Sequence, residues 1–309
     1  VRGKDLLSIS DLNREEIKSL ISSAVDMKQG SWTSSLSGKV LALLFEKPSL
    51  RTRVSFEVAM RQLGGESLYL SPEEVGLGKR ESVPDVAHVL SRYVDVIAAR
   101  TFAHSTVECL ASYSSVPVIN ALSDWEHPCQ ALADIMTIYE KKGELEGLAL
   151  AYIGDGNNVA NSLLLASALT GISFRIASPK GYEVQDKVLK LAQEYASASG
   201  AEIFGTEDPA VAIRGVDVVY TDVWTSMGQE AEAENRRKVF ARYQVNSELL
   251  ALAKEDTILM HPLPAHRGEE VSPDILDSEQ SVVFDQAENR LHVQKALLVE
   301  MLGGLEILG

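Results

Sequence analysis

A chain of 309 residues is about twice the usual domain length, so two domains are expected. With 45% hydrophobic and 24% charged residues, and no apolar run near the ~20 residues a bilayer span needs, the composition excludes a membrane-spanning helix. A net charge of −15 excludes nucleic acid and anionic membrane as partners unless cations are gathered locally, and two cysteines, Cys109 and Cys129, are too few for a disulfide framework or a structural zinc site.

The first ten residues lack the basic start and long apolar stretch of a secretory signal, so a cytoplasmic location is expected. A helical pattern at 13–28 opens the chain. Apolar runs at 40–45, 67–70, 94–99 and 116–119 then read as strands, alternating with helical patterns at 54–63, 84–92 and 106–113. A helix at 128–142 leads through the turn Lys142-Gly143-Glu144 into a second series. Its strands are expected at 148–153, 174–177, 201–204, 216–220, 257–260 and 282–284, with helices at 158–169, 185–198 and 247–254. This βα rhythm predicts an α/β protein of two domains, each a mainly parallel sheet covered by helices. The first domain is expected over 1–140, rejoined by a C-terminal helix at 287–309, and the second over 141–286.

Ligands of open α/β sheets bind beyond the carboxyl ends of the strands, so the residues that follow each apolar run are the candidates. After 40–45 comes Glu46-Lys47-Pro48-Ser49-Leu50-Arg51-Thr52-Arg53, where a helix start coincides with two hydroxyls and two arginines. Free N–H groups and guanidinium forks together suit a phosphate; the plainer alternative is a charged loop with a Ser or Thr cap. Arg100 ends the run at 94–99, where a fixed charge can meet a developing oxyanion. His127 and Gln130 stand at the corner leading into the helix that Pro128 begins, and His127 reads equally as a structural or a site histidine.

In the second series Gly154-Asp155-Gly156-Asn157-Asn158 invites comparison with a dinucleotide turn, but the third glycine and the acidic residue after the next strand are missing. Asp222 follows the run at 216–220 and suits a cationic amine or, alternatively, a turn cap. His261-Pro262-Leu263-Pro264 offers carbonyls that stiffened backbone keeps out of helix and sheet, and His261 with His266 lacks the further ligands a zinc site needs.

The stretch Phe45-Glu46-Lys47-Pro48-Ser49-Leu50-Arg51-Thr52-Arg53-Val54-Ser55-Phe56-Glu57 resembles the carbamoyl phosphate signature of the aspartate/ornithine carbamoyltransferase family, and His127-Pro128-Cys129-Gln130 resembles its second shared motif. Asp222-Val223-Trp224-Thr225-Ser226-Met227-Gly228 is similar to the Ser-Met-Gly loop of the ornithine branch. The likeness runs nearly end to end. It implies transfer of the carbamoyl group of carbamoyl phosphate to the side-chain amine of L-ornithine, giving L-citrulline and phosphate, in arginine metabolism. It further implies that Ser49, Leu50, Arg51 and Thr52 bind the phosphate and that Arg100, His127 and Gln130 contact the carbamoyl group. Arg290 completes that site by the same likeness. Arg100, His127 and Thr52 would then form the oxyanion site, and the carbonyls of Pro262 and Leu263 would receive the carbamoyl amide. Asn158, Asp222, Ser226 and Met227 match positions that hold the α-amino acid end of ornithine, and Asp222 is carried over as a catalytic position. The family implies no cofactor and no metal, with assembly as a homotrimer or a set of trimers whose sites lie at subunit interfaces.

Three positions depart from the pattern. Leu50 stands where many relatives have Thr, Gly76 replaces a polar residue, and Pro262 replaces the Cys usual in the ornithine branch. Pro262 keeps two alternatives open, another amine acceptor such as putrescine or an acylated ornithine and a non-catalytic binding protein for carbamoyl phosphate or an amino acid; a nicotinamide dehydrogenase is a third alternative.

Overall fold

Long apolar runs bounded by turns form strands buried on both faces when helices cover a parallel sheet. The computed structural model describes residues 1–30, 36–78, 80–226 and 228–303, and two such sheets occur among them. Strands β1 (Val40–Phe45), β2 (Glu66–Leu70), β3 (Val96–Arg100) and β4 (Val118–Leu122) form the first, all parallel, in the order β2-β1-β3-β4. Strands β5 (Ala149–Ile153), β6 (Ser173–Ala177), β7 (Ile203–Thr206), β8 (Val218–Thr221) and β9 (Ile258–Met260) form the second, also parallel, in the order β7-β6-β5-β8-β9. The central strands β3 and β8 are buried at every residue, whereas the edge strands β2 and β7 have only half-buried and exposed positions.

The chain divides into two units, Val1–Met136 with the chain from Glu288 onward, and Thr137–Ala287. Both changes of unit fall inside helices, Pro128–Lys142 and Val283–Leu302. Within each sheet the strand order reverses once, between β1 and β3 in the first and between β5 and β8 in the second. Helices leave to opposite faces at such a reversal, which opens a crevice at the carboxyl ends of the two strands.

Several elements depart from the sequence reading. The helix expected from residue 54 begins at Leu50, because Ser49 is extended (φ −159°) and its hydroxyl accepts the N–H of Thr52. The arginines of that segment therefore lie on the first helical turn. The strand expected at 282–284 is instead the start of helix Val283–Leu302. Its strand-like signal survives as one bridge, with Val282 N–H donating to Leu259 O at 3.0 Å before the helix takes over. The helix expected over 247–254 stops at Leu250, since Lys254 N–H turns to Val216 O and its ammonium to Asp217. Sequence patterning missed helix Ala233–Phe240 and three shorter ones, Pro72–Val75, Pro209–Ile213 and Pro273–Leu276. Among the described residues no helix is long and apolar enough to cross a membrane.

Two glycines have direct physical causes. Gly76 closes helix Pro72–Val75 in the left-handed region, φ 54°, and a Cβ there would lie 2.9 Å from Arg80 Cβ. Gly156 donates its N–H to Tyr182 O at 2.8 Å, and a Cβ would lie 2.3 Å from Val184 N and 2.4 Å from Glu183 C. The glycine turn after β5 thus serves a backbone-to-backbone approach within the unit. Replacing Gly156→Ala forces that approach apart. The expected loss is about 1–3 kcal/mol of stability or more, the usual range for overpacking, read from urea unfolding; a midpoint equal to that of the parent chain counts against it.

Candidate active site

The first crevice collects cations. Ser49 caps helix Leu50–Gln62, which presents its first N–H groups and positive dipole end beyond β1. Thr52 is fully buried, and its Oγ1 accepts from Arg290 Nη2 at 2.7 Å and from Ser49 Oγ at 3.0 Å. A hydroxyl has two lone pairs and one proton, so these two donors leave the Thr52 proton to be given to a third group. Leu50 is 77% exposed and offers the site its backbone alone. Arg53 is turned away, bonded to Glu57 at 2.8 Å and stacked 3.9 Å from the centroid of Tyr69, so of the two arginines only Arg51 belongs to the cluster.

Arg100 is placed by an irregularity. The β3–β4 register shifts between Ala99 and Arg100, and a bulge of this kind re-aims the side chain that follows. Its guanidinium is buried, and its Nε has no hydrogen-bond partner among the described residues. Burial first, then the like charges of Arg290 and Arg51, pushes its pKa down to about 10. Burial first, then Arg290, Arg100, Lys47 and Arg51, holds His127 well below the ordinary histidine value. The imidazole is therefore neutral at neutral pH and can exchange hydrogen bonds without adding charge. Gln130, one turn into helix Pro128–Lys142, gives its Nε2 to Asp134 at 2.8 Å; its buried Oε1 has no partner among the described residues and faces the needs of an incoming N–H donor.

The corner carrying His127 is held by residues that sequence reasoning did not single out. Glu126 is fully buried and accepts the Ser8 hydroxyl and the Ile9 N–H at 3.0 Å. Asn120 Nδ2 reaches Leu7 O at 2.9 Å and Ser123 Oγ at 3.2 Å. Only a buried carboxylate 118 residues from its serine partner could have flagged this, and pattern reading has no access to that distance.

The second crevice gathers polar residues of opposite character. Asp222 follows β8, is nearly buried, and accepts from Asn157 Nδ2 at 2.8 Å and from Val223 N at 2.8 Å. Burial raises its pKa, opposed by His261 and by the Asn157 bond. Asn158 is the first residue of helix Asn158–Thr170, while its neighbour Asn157, given no separate role from sequence, is both the helix cap and the partner of Asp222. Ser226 donates its N–H to Gln229 Oε1 at 3.1 Å; Met227 lies outside the described residues.

Asp155 and Arg236 form a buried pair at 2.7 Å, and Arg236 also donates to Trp224 O at 2.9 Å. This ties the loop after β8 to the loop after β5. His261 accepts the Leu263 N–H on Nδ1 at 2.9 Å, which leaves Nε2 to donate to Glu270 at 3.1 Å. That bond supports Leu263 in the left-handed region, φ 57°, and gives His261 a structural task in presenting Pro262 and Leu263. Its ring is not part of the one group of possible metal ligands among the described residues, His266, Glu269 and Glu270.

Residues 4–140 match the family profile described as aspartate/ornithine carbamoyltransferase, carbamoyl-P binding domain, and residues 146–301 match its Asp/Orn binding domain. The ornithine carbamoyltransferase of Anoxybacillus flavithermus is 56% identical over 306 residues, 98% of each chain. That of Thermococcus kodakarensis is 54% identical over 309 residues, 99% of this chain and 98% of the relative. The solved ornithine carbamoyltransferase of Pyrococcus furiosus is similar with a TM-score of 0.95 at 53% identity, covering 99% of both chains.

The depressed His127 has a consequence for stability. A histidine whose folded pKa lies below its unfolded value contributes stability that is present above about pH 6.5 and is lost as pH falls from there toward the folded value. In the ligand-free protein, His127→Gln should therefore flatten the fall of unfolding free energy between pH 6.5 and 5, by up to ~1.4 kcal/mol per pH unit. Parallel urea-unfolding profiles for the two proteins would contradict the assignment.

Proposed function

The chain belongs to the aspartate/ornithine carbamoyltransferase family, and from that premise we propose that it transfers the carbamoyl group of carbamoyl phosphate to the side-chain amine of L-ornithine, releasing L-citrulline and phosphate. The observation that carries this reading is the cluster of half-buried Arg51 with buried Arg100 and Arg290, set with Thr52 and a neutral His127. A dianionic donor whose carbonyl oxygen gains charge during reaction requires such a set, and a general amino-acid binding site does not.

Phosphate is taken by Arg51, the Ser49 and Thr52 hydroxyls and the helix N–H groups at Leu50 and beyond. Arg100, His127 and the Thr52 hydroxyl meet the carbamoyl oxygen, Arg290 orients Thr52, and Gln130 Oε1 accepts from the carbamoyl amide. The carbonyls of Pro262 and Leu263 are further acceptors for that amide. Asn158, Asp222, Ser226 and Met227 hold the α-amino acid end of ornithine, with Asn157 fixing the Asp222 carboxylate by its 2.8 Å bond.

The side-chain amine of ornithine, with an ordinary pKa of about 10, must shed a proton before it attacks. With that first proton given to solvent, the neutral nitrogen bonds to the carbamoyl carbon, the carbon–oxygen bond to phosphate breaks, and the departing phosphate takes the second proton that the nitrogen then loses. Positive charge around the leaving oxygen lowers the barrier because it is fixed before the reaction begins. Pro262 supplies no thiol, so acceptor choice in this chain rests on the Asp222 group and the 222–228 loop. A cytoplasmic trimer, or an assembly of trimers, is the proposed working form.

Citrulline should form from carbamoyl phosphate and L-ornithine with the purified protein, and putrescine or acylated ornithine should be poorer acceptors by kcat/KM. Product from one of those amines and none from ornithine would overturn the acceptor. Arg51→Ala should lower kcat/KM by at least ~10²-fold, the scale for one lost transition-state donor, with unchanged kinetics ruling out the phosphate role. In sedimentation equilibrium the protein should run at three times its 33.6 kDa chain mass or a multiple of that, and a monomer would exclude the trimer.

A further inference from the structure

On the Nε2 side of the His261 ring lies a group of donors that the proposed chemistry does not use. His266, Glu269 and Glu270 each offer an atom within 4.8 Å of the other two. Glu270 is fully buried, and its two oxygens differ. Oε1 accepts His261 Nε2 at 3.1 Å and the His266 N–H at 2.6 Å, whereas Oε2 is buried with no hydrogen-bond partner among the described residues. His266 Nδ1 lies 3.9 Å from that Oε2, beyond hydrogen-bond reach. A buried carboxylate oxygen left without a donor is costly, and a cation beside it removes the cost.

The backbone that presents these groups is fixed. Glu269 N–H returns to His266 O at 2.9 Å, while Val245 N–H donates to Glu270 O and Ser272 N–H to Val245 O, both at 2.9 Å. Arg267 forks onto Asp277 at 2.7 and 2.8 Å, which keeps that guanidinium occupied elsewhere. Arg237 Nε engages Oε1 of Glu269 at 2.9 Å and leaves its Oε2. The His266 ring is about half exposed and makes no hydrogen bond among the described residues.

We propose that His266, Glu269 and Glu270 bind one divalent transition metal of the zinc class, with water completing its shell, and that the ion braces the turn carrying Pro262 and Leu263. One imidazole and two carboxylates are donors that such ions take, at about 2.0–2.2 Å. Donors held tetrahedrally at that length stand roughly 3.4 Å apart, so the 3.9 Å gap closes with a small swing of the His266 ring. An ion on Glu270 Oε2 is one carboxylate removed from His261, whose Nδ1 accepts the Leu263 N–H at 2.9 Å. Fixing Glu270 therefore fixes the imidazole and, through it, the left-handed backbone of Leu263. Magnesium and calcium, which take all-oxygen shells, are poor occupants.

The probe is zinc alone, titrated by calorimetry into the full chain after dialysis against a chelator. One ion per chain is expected, with no comparable heat from magnesium. His266→Ala removes a ring that makes no internal hydrogen bond, so the variant should fold, and it should weaken zinc binding about tenfold or more, the scale for losing even a supporting group at a metal site. Glu269→Gln should weaken it as well. In nitrogen-15 spectra zinc should move the His266 ring nitrogens and leave those of His127 in place. Hydrogen exchange at the Leu263 amide should slow with zinc in the parent chain and not in His266→Ala.

Zinc that binds His266→Ala as tightly as the parent, or that binds only in several weak equivalents, is an adventitious ion only and overturns the proposal. A zinc shift at His127 in place of His266 does the same. An unslowed Leu263 amide in the zinc-bound parent overturns the brace. None of these measurements uses carbamoyl phosphate or ornithine, so the carbamoyl-transfer reading stands or falls separately.

Discussion

Like charges packed out of water are the constraint on which the first unit is built. Arg51, Arg100, Arg290 and Lys47 act together on His127, and Arg100 and Lys47 show the cost, since burial and like charge depress both. In a chain of net charge −15 such a concentration runs against the overall field. It can persist only where strong backbone structure dictates positions that side-chain repulsion alone would dissolve.

Strand ends and helix starts supply that rigidity. β1 and β3 are neighbours joined by parallel ladder bonds, and Glu46 N–H continues the ladder to Arg100 O at 2.8 Å, so the segments carrying Lys47 and Arg100 emerge side by side. Thr52 is a fixed point: capped by Ser49, buried, and bonded to an arginine 238 residues further along the chain. Glu126 does comparable work for His127 by gripping residues 8 and 9. Each contact fixes the position of a charged or polar group before any ligand arrives, the kind of pre-arrangement that lowers reorganisation cost in general.

The second unit meets the opposite electrostatic problem. There a carboxylate, Asp222, is buried, and its charged form is favoured by the hydrogen bond from Asn157 and opposed by its own desolvation. Arg236 is placed to steady the loop after β8, because one guanidinium holds both Asp155 and the Trp224 carbonyl and lies 4.9 Å over the Tyr182 ring. His261 is committed to the backbone turn at 261–263.

Local chemistry decided what the sequence alone could tell. Apolar runs of five or six residues at 40–45 and 149–153 cannot be solvated, so both sheets were legible, and so was the clustering of Ser, Thr and Arg at a helix start beyond β1. The same reasoning set the Leu50 helix start four residues late and took 282–284 for a strand, because a cap and a helix start depend on hydrogen bonds that composition does not display. Tertiary structure alone decided which arginines converge. Arg53 and Arg51 are two residues apart in one motif, yet one is drawn off by Glu57 and Tyr69 while the other stays with Thr52, Arg100 and Arg290. Side chains two apart on a helix point to different faces, and residues 238 apart in sequence can share one hydroxyl; neither fact is carried by residue identity, only by the fold that brings them together.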